Sequence, residues 1–260
     1  MAVARVLDED PDLGERLTAD DHAQAREASI ARAESLDIGV WQEPDNPSNY
    51  RDGYGLLVLD GVLARRVNLE RFECTELLGQ GDLLRPWTFE GAAVSSIPSH
   101  VSWTVIEPVR MADLYRRFAV ATSRWPELKA ALMDRIIRRA RWLAFQLAVG
   151  HLIRVDMRLL VILWHYADRW GRMTPDGAHL GMRLTHGVLA GIVGARRPSV
   201  TTALGRLQQE GLIERRADGT WLLHGPPPQD FLRLRQTAGA SEEPLEAGVG
   251  AGDGPEELAG

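Results

Sequence analysis

The stretch with the most definite chemistry runs Leu184-Thr185-His186-Gly187-Val188-Leu189-Ala190-Gly191-Ile192-Val193-Gly194-Ala195-Arg196-Arg197-Pro198-Ser199-Val200-Thr201-Thr202-Ala203-Leu204-Gly205-Arg206-Leu207. Its apolar residues fall at helical spacing in two blocks, Leu189, Ile192 and Val193, then Val200, Leu204 and Leu207. Between them lies Gly194, a residue without Cβ that can take positive φ in a tight turn. Two short helices joined in this way make a helix-turn-helix. The second helix opens near Pro198 and presents Ser199, Thr201, Thr202 and Arg206, with Arg196 and Arg197 at its amino end. In such motifs that end enters the major groove, where arginine can read guanine bidentately and hydroxyls can meet bases or phosphates.

The sequence that follows, Glu210-Gly211-Leu212-Ile213-Glu214-Arg215-Arg216-Ala217-Asp218-Gly219-Thr220-Trp221-Leu222-Leu223, holds an Asp-Gly pair between apolar runs. That is a two-residue hairpin signal, so the expected unit is a winged helix. Charge agrees. Residues 183–216 carry six Arg against Glu210 and Glu214, a local +4. The whole chain has a net charge of −6, but Glu242, Glu243, Glu246, Asp253, Glu256 and Glu257 account for all of it. A basic stripe on an otherwise neutral body is a footprint for a polyanion.

The elements that must position this stretch belong to a chain of 260 residues, a length that predicts about two domains. Asp20 or Asp21 is placed to cap a helix to about Leu36. From Tyr54 to Leu114 short apolar runs alternate with turn signals: Gly55–Leu59, Gly61–Leu69, Phe72–Leu78, Val101–Ile106 and Val109–Leu114. Asp60-Gly61, Gly79-Gln80-Gly81-Asp82 and Glu107-Pro108 punctuate them, the pattern of a sandwich or roll. Trp125-Pro126 then opens a helix of roughly 24 residues. Its apolar positions Leu128, Leu132, Ile136, Leu143 and Leu147 are expected to meet a second copy, with Arg135, Arg138, Arg139 and Arg141 on the other face. A further helix spans Asp156 to Trp170, and Gly171 suits its end. The region to Pro228 reads helix, helix, helix, hairpin. A short helix at 230–236 and an acidic, disordered tail complete the reading.

These parts together resemble the CRP/FNR family of bacterial transcription regulators over about residues 50–225. The resemblance rests on Leu184–Leu207 with Glu210-Gly211-Leu212-Ile213, and on Leu57–Gly61 leading to Leu77–Leu83. It implies an α+β chain divided as 1–122 (N-terminal helix plus antiparallel β-roll), 123–150 (dimerisation helix), 151–228 (winged helix-turn-helix) and 229–260 (tail). It also implies a homodimer on double-stranded DNA with a pseudo-palindromic operator. Arg197 becomes the guanine reader, Ser199, Thr201 and Thr202 lie on the DNA face, and Thr185 and His186 touch phosphate. Pro198 stands where some members have a Glu that accepts from cytosine, so their operator does not carry over.

The same resemblance implies what the roll lacks. Members that bind a cyclic nucleotide follow Gly-Asp with Gly-Glu and later an Arg; here Gly81-Asp82-Leu83-Leu84 continues Arg85-Pro86-Trp87. Without that pair a buried phosphate loses its main charge-assisted partner, so cyclic AMP control is not expected. Arg85 and Trp87 remain as a weak effector pocket. One cysteine, Cys74, excludes an iron–sulfur set within the chain and is expected to be buried. The seven His are scattered without ligand spacing, so neither metal nor cofactor is expected. Ser95, Ser96, Ser99 and His100 form no nucleophile elbow, and no enzyme activity is expected. No apolar run is long enough to span a membrane and no signal peptide is visible, which places the chain in the cytoplasm. The alternatives are a regulator gated by another small molecule in the roll, and an interaction protein acting through RNA polymerase.

Overall fold

The computed structural model describes residues 2–42, 53–70, 72–85 and 99–228. Trp87, Ser95, Ser96, the helix expected at 230–236 and the acidic tail lie outside them. The residues up to Pro227 form one compact unit.

The amino-terminal part is an antiparallel sheet in the order β1 (Ala2–Arg5), β2 (Ile30–Leu36), β7 (His100–Leu114), β4 (Gly55–Leu69), β5 (Phe72–Gly79); β3 (Gly39–Trp41) also pairs with β7 and β6 (Leu83–Leu84) with β4. Side chains alternate across β4, and the alternation divides the core. Leu57 and Leu59 face a cluster with Leu7, Leu13, Phe118 and Trp125, while Leu56, Val58 and Leu63 face another with Leu78, Trp103, Val105 and Met111. Between β1 and β2 lie α1 (Val6–Glu9), a 3-10 turn (Pro11–Gly14) and α2 (Ala19–Ala28).

Two sequence expectations are corrected here. The first helix does not reach Leu36: it is capped by Thr18, whose hydroxyl accepts from the Asp21 N–H, and ends before Ser29. Ile30–Leu36 is instead a strand, because Ala31 and Ala33 alternate into the core while the backbone pairs with both β1 and β7. Ladder pairing overrides the helical propensity of Ala, Arg and Glu. The punctuation at Asp60-Gly61 and Glu107-Pro108 does not end strands either. The two irregularities lie opposite each other in continuous strands, where the register slips between Val58 and Leu63. They are β-bulges, which let a long strand bend around a roll.

After α3 (Arg116–Ala121), Pro126 occupies the first position of the 25-residue helix α4 (Pro126–Gly150). Leu128 and Leu132 are buried in their own chain's core with Leu7, Leu13 and Ala25. They are therefore not available to a second copy, which corrects that part of the expected dimer face. The arginines of the other face are not all alike. Arg135 is buried on Asp10 (2.5 Å), and Arg139 grips Glu76 of β5 with two hydrogen bonds (2.7 and 2.8 Å). The residues left exposed are Met133, Ile136, Ile137, Phe145 and Leu147, with Leu143 half-buried.

Next comes α5 (Val155–Trp170), whose His165 packs on Trp142 and Phe145 of α4. Burial, with the Arg169 charge in support, pushes the His165 pKa down from 6.5 to about 3. The folded protein thus holds this imidazole neutral, while the unfolded chain takes up a proton below pH 6.5. We expect stability to fall as pH drops from about 6.5 to about 3, at up to about 1.4 kcal/mol per pH unit. Urea unfolding at several pH values checks this, and His165→Phe should flatten the dependence across that window.

A hairpin absent from the sequence-based expectation follows, β8 (Arg172–Thr174) and β9 (Gly177–Leu180). It joins β10 (Ile213–Arg215) and β11 (Trp221–Leu223) in a four-stranded sheet ordered β10-β11-β9-β8. Its turn signal is Asp176-Gly177, but the strands are only three and four residues long.

A candidate nucleic-acid interface

The helix pair forms as its apolar spacing dictates. The first helix, α6 (His186–Val193), is capped by Thr185, whose hydroxyl accepts from the Val188 N–H. Gly194 ends it at φ 61°, a left-handed conformation that costs other residues about 1 kcal/mol or more. The second, α7 (Arg197–Gln209), follows with Pro198 in its first turn. Leu189, Ile192, Val193, Val200, Leu204 and Leu207 are all buried, and they fix the two helices against α5 and β10.

What remains outside is polar and basic. Arg196, Arg197, Ser199, Thr201 and Thr202 are all exposed along the first two turns of α7, and Thr185 is exposed at the start of α6. Arg196 is the residue before the helix and supplies no side-chain cap. The amino end of α7 therefore keeps backbone N–H groups and the positive end of the helix dipole available to an anion. Arg197 has no ion pair among the described residues.

Internal hydrogen bonds hold this face in register. Thr201 donates to the Arg197 carbonyl (3.1 Å) and Thr202 to that of Pro198 (3.2 Å). The Thr201 hydroxyl also shares a hydrogen bond with His186 Nδ1 (2.9 Å). The contact engages His186 Nδ1 and leaves Nε2 as the ring's outer nitrogen. The contact also ties the start of α6 to the middle of the first turns of α7. Partial burial first, then the nearby Arg215 and Arg197 charges, hold the His186 pKa below its ordinary value.

Arg206 is exposed with the others but is also engaged within the chain. Its guanidinium is turned to Asp156 at the start of α5 (3.1 Å), a buried carboxylate that also accepts from Arg154 (2.6 Å). Those hydrogen bonds, Arg154's first, hold the Asp156 carboxyl below the usual range. Arg206 thus clamps α7 to α5, which a reading based on helical facing alone cannot detect. Arg215 of β10 is also exposed on this side, near enough to His186 to depress its pKa. Its only sequence signal is membership of the basic stripe.

Elsewhere, Arg85 is half-buried at the end of β6, and Cys74 is exposed on β5, contrary to the expected burial. Among the described residues no group of three His, Cys, Asp or Glu side chains is placed to hold a metal ion. Among them also, no helix is long and apolar enough to cross a membrane.

Residues 157–225 match the Crp-like helix-turn-helix domain. No curated protein sequence matches the chain. Among solved structures, the chain is similar to a cyclic nucleotide-binding domain containing protein from Listeria monocytogenes, with a TM-score of 0.57 and 16% identity over 82% of this chain and 96% of that one. It is similar to a variant of CooA from Carboxydothermus hydrogenoformans (TM-score 0.55, 18% identity, 80% and 88% covered). It is also similar to CLP, a c-di-GMP responsive global regulator from Xanthomonas campestris (0.54, 18%, 78% and 100% covered). The chain therefore has the α+β fold of CRP/FNR-type proteins, a cyclic-nucleotide-binding-like sheet domain followed by a long helix and a Crp-like helix-turn-helix.

Proposed function

We propose that this chain is a cytoplasmic, homodimeric, sequence-specific DNA-binding transcription regulator that does not answer to cyclic AMP. Its working parts are a roll over 1–122, a dimerisation helix over 123–150, a DNA-binding domain over 151–228 and a tail beyond. The observation that carries the reading is the exposed row Arg196, Arg197, Ser199, Thr201 and Thr202 on an uncapped helix start, inside a Crp-like helix-turn-helix. Two such helices about 34 Å apart fit successive major grooves of a pseudo-palindromic site. Selection from a random duplex pool tests this. Enrichment of a two-fold symmetric site by the ligand-free protein is the expected result, and salt-sensitive binding without enrichment would overturn a regulator competent without an effector.

DNA binding should also take up a proton. A phosphate beside His186 favours the imidazolium that Arg215 and Arg197 disfavour in the free protein. Affinity is expected to rise as pH falls below about 6.5, and His186→Asn should abolish that slope in titrations at constant salt.

A second reading, gating by an effector, is favoured by contacts between the helix pair and the roll. Gln146 of α4 donates to both the Thr75 carbonyl of β5 (2.8 Å) and the Ile192 carbonyl of α6 (3.0 Å). Gly191 of α6 lies so close to Thr75 that a Cβ would collide with its hydroxyl. A regulator held in this arrangement needs a signal to release α6 from the roll. The discriminating measurement is whether ligand-free protein enriches the site at all.

A further inference from the structure

Two cavities, of about 500 and 350 Å3, share Asp12, Arg135 and Arg138 in their walls. The smaller is built from four parts of the chain: the 3-10 turn at Pro11–Gly14, the Gly79–Asp82 turn of the roll, the middle of α4, and Arg169 and Trp170 at the end of α5. Two of its cations are already committed. Arg135 pairs with Asp10 at 2.5 Å and lies over Gly81 (φ 81°) where a Cβ would stand; Arg169 pairs with Asp82. Arg138 is not committed: it has no ion pair among the described residues, and neither has Arg141, one turn further along in the larger cavity. Arg138 is exposed on the cavity wall; partial burial and then the Arg135 and Arg169 charges press its pKa below its ordinary value, against the opposing pull of Asp82 and Asp10.

Two further residues on the same walls each keep one buried polar atom without a hydrogen bond. Asp10 is 6% exposed, and its Oδ2 is buried with no hydrogen bond. Trp170 Nε1 is likewise buried and unbonded, against Gly79. Buried polar atoms in native proteins are nearly always satisfied, so each of these calls for a partner. The three requirements are complementary: an oxygen anion for Arg138, an acceptor for Trp170 Nε1 and a donor for Asp10 Oδ2.

We propose that this cavity is a binding site for a small organic anion, a phosphate or carboxylate bearing a hydroxyl or amino donor, seated on Arg138 between Asp10 and Trp170. It lies apart from the Arg85 region of the roll. Because its walls come from both the roll and the helix leading into the helix-turn-helix, an occupant would bridge the two. The inference goes beyond the DNA-binding reading, and its test reads ligand binding alone.

The test is calorimetric titration of the full chain with pyrophosphate and, separately, with citrate. Saturable binding of at least one is expected, weakened at least about tenfold in Arg138→Ala and Arg138→Gln, a change of about 1.4 kcal/mol. Arg117→Ala, which alters an exposed arginine outside the cavity, should bind as the wild type does. Arg138 has no ion-pair partner among the described residues, so both variants should keep the wild-type melting temperature. Binding of pyrophosphate alone assigns a phosphate ligand, and of citrate alone a carboxylate. Absence of saturable binding by either probe at millimolar concentration overturns the proposal, as does equal affinity in the Arg138 variants.

Discussion

Replacing Arg197 by alanine is expected to weaken binding to the selected operator by about 1–3 kcal/mol, roughly 5- to 150-fold, and to remove preference at one base pair in each half-site. Arg197 is the first residue of α7, exposed and without an ion pair among the described residues, with Pro198 fixing φ directly after it. A guanidinium so placed is free to form the two parallel hydrogen bonds that guanine offers. Arg196, one residue before the helix, is expected to meet the DNA backbone instead. Its alanine variant should weaken binding about equally on all sequences and lower the salt dependence by about 0.9 for each phosphate that Arg196 neutralises. Titrations against the operator and its single-base variants separate the two. Uniform weakening in Arg197→Ala would remove its base-reading role and leave it a phosphate neighbour.

The helix-turn-helix is legible in the sequence because everything that makes it is local. Its apolar residues repeat at three and four, Gly194 takes the left-handed turn between the helices, and Thr185 caps its own helix. What escapes depends on residues far apart in sequence. Helical facing alone makes Arg206 a DNA neighbour, yet Asp156, fifty positions earlier, holds it at 3.1 Å. The same facing sets Arg139 opposite the apolar stripe of α4 and says nothing of Glu76 of β5, which lies beneath it. Ile30–Leu36 reads as helix on propensity and becomes a strand only because β1 and β7 flank it. The cavity around Arg138 has no sequence signature, since its walls are drawn from positions between 9 and 170. The spacing of the roll strands is readable, but the bulges at Asp60-Gly61 and Pro108 show only as breaks.

The long helix offers the other large effect, because its apolar residues do two separate jobs. Leu128 and Leu132 belong to the core of their own chain. Met133, Ile136, Ala140, Leu143 and Leu147 are spaced 3-4-3-4, the heptad repeat of a two-stranded seam, and Leu147 is 71% exposed. Three of the five leucine and isoleucine positions expected from sequence, Ile136, Leu143 and Leu147, therefore stay available to a second copy. Leu132→Ala should cost about 2–5 kcal/mol of folding stability by leaving a cavity, without altering association. Leu147→Glu should do the reverse. An exposed glutamate costs the folded chain little, but in a symmetric pair it sets two unpaired carboxylates at the seam. The expected result is an unchanged melting temperature for the monomer and a dimer dissociation constant raised at least about 100-fold, or about 2.7 kcal/mol. Operator affinity should fall with it, since one helix-turn-helix then meets one half-site. Sedimentation equilibrium beside thermal unfolding reads both quantities. If Leu147→Glu stays dimeric at micromolar concentration, the seam lies elsewhere and two-fold symmetry on DNA must come from another surface.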